Sequence, residues 1–214
     1  MQVTLSMRRA LLGGTAAAVL FAGGGAGSAA AVPAAAAPRP AAGPVGTAAP
    51  APSPAGQLRP LAALSADRLA TADLVAAAKW GTGSPIDDPV REREVLAAVA
   101  AQAREAGADP VPTVRIFRDQ IEANKLVQRG LYRRWDADPA HAPTTRPDLA
   151  RVRQVINRLN RELVRAIAAS PRARTAPGCG PRLALAALRV GDERRLDLLH
   201  AAGLARSLRS VCGG

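Results

Sequence analysis

The sequence predicts an all-α fold on three observations. β-branched residues never alternate with polar ones over a useful length, Ala, Leu, Arg and Glu dominate the chain, and apolar residues recur at spacings of three and four. The clearest stripe is Val114, Phe117, Ile121, Asn124, Gln128, Leu131 and Trp135, the period of one helix face. Its apolar members suit a core, but two neutral amides, Asn124 and Gln128, interrupt them at the centre. A buried amide without a partner costs about 1–3 kcal/mol. The pair therefore needs either a structural partner or a ligand.

Met1 to Ala31 reads as a secretory signal. Arg8 and Arg9 supply the positive start, Ala10 to Gly25 is an apolar run, and Ser28-Ala29-Ala30 or Ala29-Ala30-Ala31 offers the small-residue cleavage site. Arg8-Arg9 matches only part of a twin-arginine pattern, so ordinary secretion is the expectation. The apolar run is too short and too rich in glycine for a stable membrane span. Residues 32–57 form a Pro/Ala/Gly tract with almost no charge and no periodicity, which marks a linker. Residues 58–214 remain, roughly 155 residues, the size of one ordinary domain.

Within that domain a first helix is expected over about Leu58 to Trp80. Leu61, Leu64, Arg68, Thr71 and Val75 share a stripe, with Lys79 one turn beyond, and Gly81-Thr82-Gly83-Ser84-Pro85 supplies the stop. A second helix spans about Pro89 to Ala106, carries Val95 and Val99, and is closed by Gly107. Asp109-Pro110 starts the third with a cap and a first-turn proline, and that helix ends near Trp135. Residues 136–147 are a Pro-rich loop. Asp148 then caps a fourth helix with Leu149, Val152, Ile156, Leu159, Leu163 and Ile167 on its apolar face. Pro171 to Pro177 breaks the chain, and Cys179–Val190 and Asp192–Val211 read as two shorter helices.

Both cysteines, Cys179 and Cys212, lie in the part to be exported, where disulfides persist. One bridge would fasten the last helical hairpin and close a loop of about 34 residues, worth ~3–4 kcal/mol. Two cysteines and two scattered histidines, His141 and His200, lack metal-ligand spacing. The formal charge is +12, and +10 once Arg8 and Arg9 are set aside. Such basicity suits an anionic partner. Beyond the signal, however, the aromatics are only Phe117, Tyr132, Trp80 and Trp135, and no dense Lys/Arg block exists. Nucleic-acid binding through stacking platforms is thereby disfavoured, and a small anionic ligand is the sharper reading.

Arg68 and Lys79 are three helical turns apart on one face, with Cα atoms ~16 Å apart. Asn124 and Gln128 are an i,i+4 pair on another helix. Arg153 edges the fourth helix's stripe, and Arg91 opens the second helix after Asp87-Asp88. Singly, each has a plainer explanation: arginines on helix shoulders, a lysine lying along Trp80, an Asp cap, an amide pair bonded within the bundle. Together, cations and amides without a Ser-His-Asp set, a Cys-His pair or a metal cluster suit electrostatic stabilisation of a dianion with no covalent step.

The ordered set Arg68 … Lys79-Trp80 … Pro85-Ile86-Asp87-Asp88 … Arg91-Glu92 … Phe117-Arg118-Asp119-Gln120-Ile121 … Asn124-Lys125 … Gln128 … Arg153 resembles the exported, γ-type AroQ chorismate mutases. The likeness covers about residues 62–212, the two cysteines included. It implies an AroQ-type helical bundle with a disulfide-linked C-terminal hairpin. It also implies a homodimer with a complete pocket in each protomer, a chain secreted without a membrane anchor, and conversion of chorismate to prephenate without cofactor or metal. Residue by residue, it implies that Arg68 and Arg153 clamp the substrate carboxylates and that Lys79 and Gln128 hydrogen-bond the ether oxygen. Arg91 would orient the enolpyruvyl side, Asp88 and Glu92 would hold the substrate hydroxyl, and Asn124, where relatives often carry Ser or Thr, would bind the ring carboxylate. The alternative is a secreted helical protein that binds an anionic metabolite without turnover.

Overall fold

The computed structural model describes residues 54–213. The expected signal segment, and the linker as far as residue 53, lie outside the described residues. Helix α1 (Pro54–Lys79) starts ahead of the expected Leu58, with proline in the first turn, where its missing N–H costs nothing. It is the central element. Leu58, Leu61, Ala62, Leu69, Ala72 and Ala76 are buried along one face, Ala66, Arg68, Thr71, Val75 and Ala78 widen it on both sides, and the alanines let several helices approach at once. Most of the later helices pack against it.

Helix α2 (Pro89–Glu105) is capped by Asp88, whose side chain accepts from the Arg91 N–H. It stops at Gly107, which holds the left-handed φ of 71°. Helix α3 (Pro110–Ala137) is capped by Asp109 accepting from the Val111 N–H. It carries two buried faces, not one. The expected stripe is there, with Phe117, Ile121, Gln128, Leu131 and Trp135 buried and Val114 and Asn124 half-buried. The second face is Thr113, Ile116, Gln120, Ala123, Val127 and Gly130. Its polar members hid it from a hydrophobicity count. Gln120 is satisfied there, its Nε2 donating to Ser65 Oγ at 2.7 Å and to the Ser207 carbonyl at 3.2 Å. Trp80, Tyr132 and Trp135 meet edge to face where α1 ends, with centroids 4.8 and 5.2 Å apart for the two Trp80 pairs.

A 3-10 turn (Pro139–His141) leads to α4 (Leu149–Ala168), capped by Asp148. Val152, Leu159, Leu163, Val164 and Ile167 are buried, whereas Leu149 and Ile156 of the expected face are half-buried. The proline-flanked break contains a short helix, α5 (Pro171–Thr175). The last two helices divide later than expected. Helix α6 (Cys179–Glu193) runs through Gly191, whose carbonyl accepts from the Leu196 N–H to close the turn. Arg195 takes a φ of 50°, and Asp197 caps α7 (Leu198–Ser207), which stops short of Val211. His200 on α7 sits between Asp73 and Asp197, and those carboxylates push its pKa up to about 9. It is a structural cation tying α7 to α1. Among the described residues there is no strand, and no helix is long and apolar enough to cross a membrane.

Cys179 and Cys212 form the disulfide, with Cα atoms 5.8 Å apart, joining the start of α6 to the segment after α7. Arg174 reinforces that end, its Nε donating to the Val211 carbonyl at 2.9 Å. Replacing both cysteines with serine is expected to lower unfolding stability by ~3 kcal/mol while leaving the far-ultraviolet circular dichroism helical, as read by urea denaturation.

Helix α7 lies close to α1 and α3 because two helical positions lack a Cβ. A Cβ at Gly203 would sit 2.9 Å from Val127 Cγ2 and 3.0 Å from Leu69 Cδ2, both buried. One at Gly130 would meet the end of the Leu199 side chain at 2.5 Å, and Leu199 is only half-buried. Gly203→Ala is therefore expected to cost about 1–3 kcal/mol by overpacking. Gly130→Ala should cost less, because Leu199 can turn aside and alanine favours the helix by about 1 kcal/mol. Thermal unfolding of the two variants checks the order.

Candidate active site

A cavity of about 120 Å³ opens between α1, α2, α3, α4 and the loop joining α1 to α2. Arg68, Lys79, Asp88, Arg91, Glu92, Asn124, Gln128 and Arg153 all line it, together with Lys125 and an apolar wall that includes Val75, Ile86, Leu149 and Ile156. The two half-buried residues of α4's apolar face thus face this space.

Arg68 is the deepest cation, with 5% of its surface exposed. Its Nε donates to Asn160 Oδ1 at 2.9 Å and its Nη1 to the Gln120 carbonyl at 3.1 Å, while the guanidinium lies 5.8 Å from the Phe117 ring centroid. All these partners are neutral. No carboxylate pairs with Arg68 among the described residues, and burial pushes its pKa down to about 10, still protonated at neutral pH. A buried charge without a counter-ion costs several kcal/mol. Holding it costs less once an anion shares the cavity. Arg153 likewise makes no ion pair among the described residues and is exposed at the rim.

The amide pair is oriented by a one-way chain of donors. Thr71 Oγ1 donates to the Arg68 carbonyl at 2.7 Å, so toward its other side it can only accept. Asn124 must then present Nδ2 to Thr71, at 3.5 Å, and Oδ1 to Gln128. Gln128 must answer with Nε2, at 2.7 Å. Its second N–H is left over, and its Oε1 is buried without a partner. Both amides therefore have the structural partner that the stripe demanded and still keep donor capacity beside the cavity.

Lys79 reaches across from the end of α1. Its Nζ donates to the Pro85 carbonyl at 2.7 Å and faces the Ile86 carbonyl at 3.5 Å. Burial lowers its pKa, opposed chiefly by the nearby Asp88 charge and reinforced by Arg153. Asp88 uses one oxygen as the α2 cap. Arg91 pairs with Glu94 at 2.9 Å. Glu92 accepts from Lys125 at 3.2 and 3.4 Å. Lys125 also pairs with Asp87 and Glu122, and these carboxylates raise its pKa against burial. Sequence reading quoted Lys125 but gave it no task. Its place one turn beyond Ile121 was the available signal. Asn160, which holds Arg68, was missed because it sits among apolar residues of α4 and announces nothing by spacing.

Comparison with known proteins agrees with the fold. The family described as chorismate mutase type II matches residues 59–129. A secreted chorismate mutase of Mycolicibacterium smegmatis is 40% identical over 158 residues, covering 74% of this chain and 87% of that protein. The secreted chorismate mutase of Mycobacterium tuberculosis is 35% identical over 73% of this chain and 78% of its own length. Among solved structures, the chorismate mutase of Burkholderia phymatum superposes with a TM-score of 0.71 at 36% identity, covering 75% of this chain and 99% of that one. Similarity of this extent, along the helices that build the cavity, makes the chain a member of the type II chorismate mutase family.

Proposed function

We propose that the protein is a secreted chorismate mutase, an isomerase that turns chorismate into prephenate by an intramolecular Claisen rearrangement. One ether C–O bond breaks and one C–C bond forms within the same molecule, so no atom enters or leaves. The observation that carries this reading is Arg68, a buried guanidinium without a counter-ion among the described residues, beside a cavity that it lines with Lys79, Gln128 and Arg153.

The uncatalysed rearrangement already passes through a cyclic transition state. A protein accelerates it by holding the compact conformer and by presenting fixed positive charge and donors where negative charge grows. Arg68 grips one substrate carboxylate with the N–H groups that Asn160 and Gln120 leave over, and Arg153 takes the other. Lys79 and the spare N–H of Gln128 donate to the ether oxygen. Arg91 orients the enolpyruvyl side, the second oxygen of Asp88 and the Glu92 carboxylate hold the substrate hydroxyl, and the remaining N–H of Asn124 meets the ring carboxylate. The functional unit is a homodimer with one such pocket per protomer. Capture of the dianion without turnover is the competing reading, and assaying product separates the two.

Chorismate loss and prephenate formation, followed directly, should be rapid. Arg68→Ala and Gln128→Ala should each lower kcat/KM by about 10²–10³-fold, the scale of losing one preorganised transition-state contact. A folded protein that binds chorismate but forms no prephenate would establish the competing reading.

The pH profile is a second check. Gln128 donates at any pH, whereas a carboxyl at that position would have to be protonated. kcat/KM should therefore stay flat between about pH 5 and 7. Lys79 must be charged to act, and its pKa lies below the ordinary lysine value. Activity should accordingly fall at alkaline pH, before free lysine would titrate.

A further inference from the structure

We propose that Asp87 is a positioning residue for this reaction: by fastening the α1–α2 loop to α3, it holds the Pro85 and Ile86 carbonyls against the Lys79 ammonium and aims the remaining Nζ–H into the cavity. This rests on the reading of Lys79 as the ether-oxygen donor.

The loop is built to need such a fastening. It leaves α1 through Gly81 and Gly83, both in the left-handed region at φ 68° and 73°, with open space around each. Residues 81–85 are exposed. At its near end the loop is tied by Arg146 donating to the Trp80 carbonyl at 3.3 Å. At its far end stands Asp87. Both of its oxygens accept from Arg129 Nη2 at 2.7 Å, and Lys125 Nζ lies 3.3 Å from Oδ1. Arg129 and Lys125 belong to α3, the helix that also carries Gln128. Asp87 therefore ties the loop to the same rigid element as the other ether-oxygen donor.

Lys79 depends on what the loop does. An ammonium on four methylenes is a free rotor with three donors. The Pro85 carbonyl takes one at 2.7 Å and the Ile86 carbonyl lies within reach of a second at 3.5 Å. Two acceptors fix the direction of the third N–H. Ile86, adjacent to Asp87, also lines the cavity, so any drift of the loop shifts a wall and an acceptor together. Neither Asp87 nor Arg129 lines the cavity, so Asp87 does not touch the substrate; besides the loop, its links to the site are Lys125 and its charge near Lys79.

Asp87 and Arg129 have side chains 54% and 42% exposed, and a pair so exposed contributes little to folding. Their removal should leave the melting temperature near that of the unaltered protein and reach only the chemistry. Asp87→Ala and Arg129→Ala are each expected to lower kcat about tenfold with KM within about twofold, since a misplacement near 1 Å costs up to 10²-fold. Asp87→Glu, which keeps the carboxylate, should recover most of the loss. The decisive comparison is with Lys79→Ala. If Asp87 works through Lys79, the Asp87→Ala/Lys79→Ala double variant loses no more than Lys79→Ala alone. Losses that multiply, or an Asp87→Ala enzyme with unaltered kcat beside a crippled Lys79→Ala, would overturn the positioning role. An unimpaired Lys79→Ala would instead overturn the reading of Lys79 beneath it.

Discussion

The site is organised around a charge placed where charge is costly. Arg68 sits on the central helix, surrounded by α3 and α4, and its protein partners are an amide, a carbonyl and an aromatic ring. None of these cancels its charge. They orient the guanidinium and leave its electrostatic demand unmet, to be satisfied by whatever anion enters. A carboxylate partner in place of Asn160 would have made a more comfortable protein and a poorer receptor. The packing of α3 and α4 against α1 encloses that cation and keeps it from swinging out to water.

On the opposite wall the logic reverses. Asp88, Glu92, Asp87 and Glu122 gather around Lys79 and Lys125, so the cations there have carboxylate partners. The cavity is therefore polarised. Its deep end holds Arg68 without a counter-ion, whereas its α2 side mixes Asp88 and Glu92 with Arg91, Lys79 and Lys125. A uniformly basic pocket would bind any dianion. The two carboxylates of the lining, Asp88 and Glu92, disfavour an anion placed against them.

Much of this was legible in the sequence because each element announced itself locally. The caps at Asp88, Asp109 and Asp148 stand where side-chain and proline chemistry required. The interruption of an apolar stripe by Asn124 and Gln128 pointed at the cavity wall. What escaped notice depends on tertiary context. The second face of α3 contains Thr113, Gln120 and Gly130, whose burial follows from partners on α1 and α7 that no local pattern displays. The boundary between α6 and α7 falls later than the expected break after Val190, because Gly191 stays helical. Its carbonyl completes the closing turn, and the chain reverses at Arg195. Asn160 and Lys125 became visible as parts of the site only when the helices were assembled.

The seating of α7 over Gly203 bears on how the molecule is made. Leu69, near the beginning of the domain, completes its packing against a helix close to the end. The covering of α1 is thus completed from the far end of the domain, and contacts of such sequence separation are slow to form. A chain emerging from a ribosome or a translocation pore cannot finish its core until the C-terminal hairpin follows. Native packing must wait for the whole domain, which keeps the polypeptide threadable for as long as its passage takes.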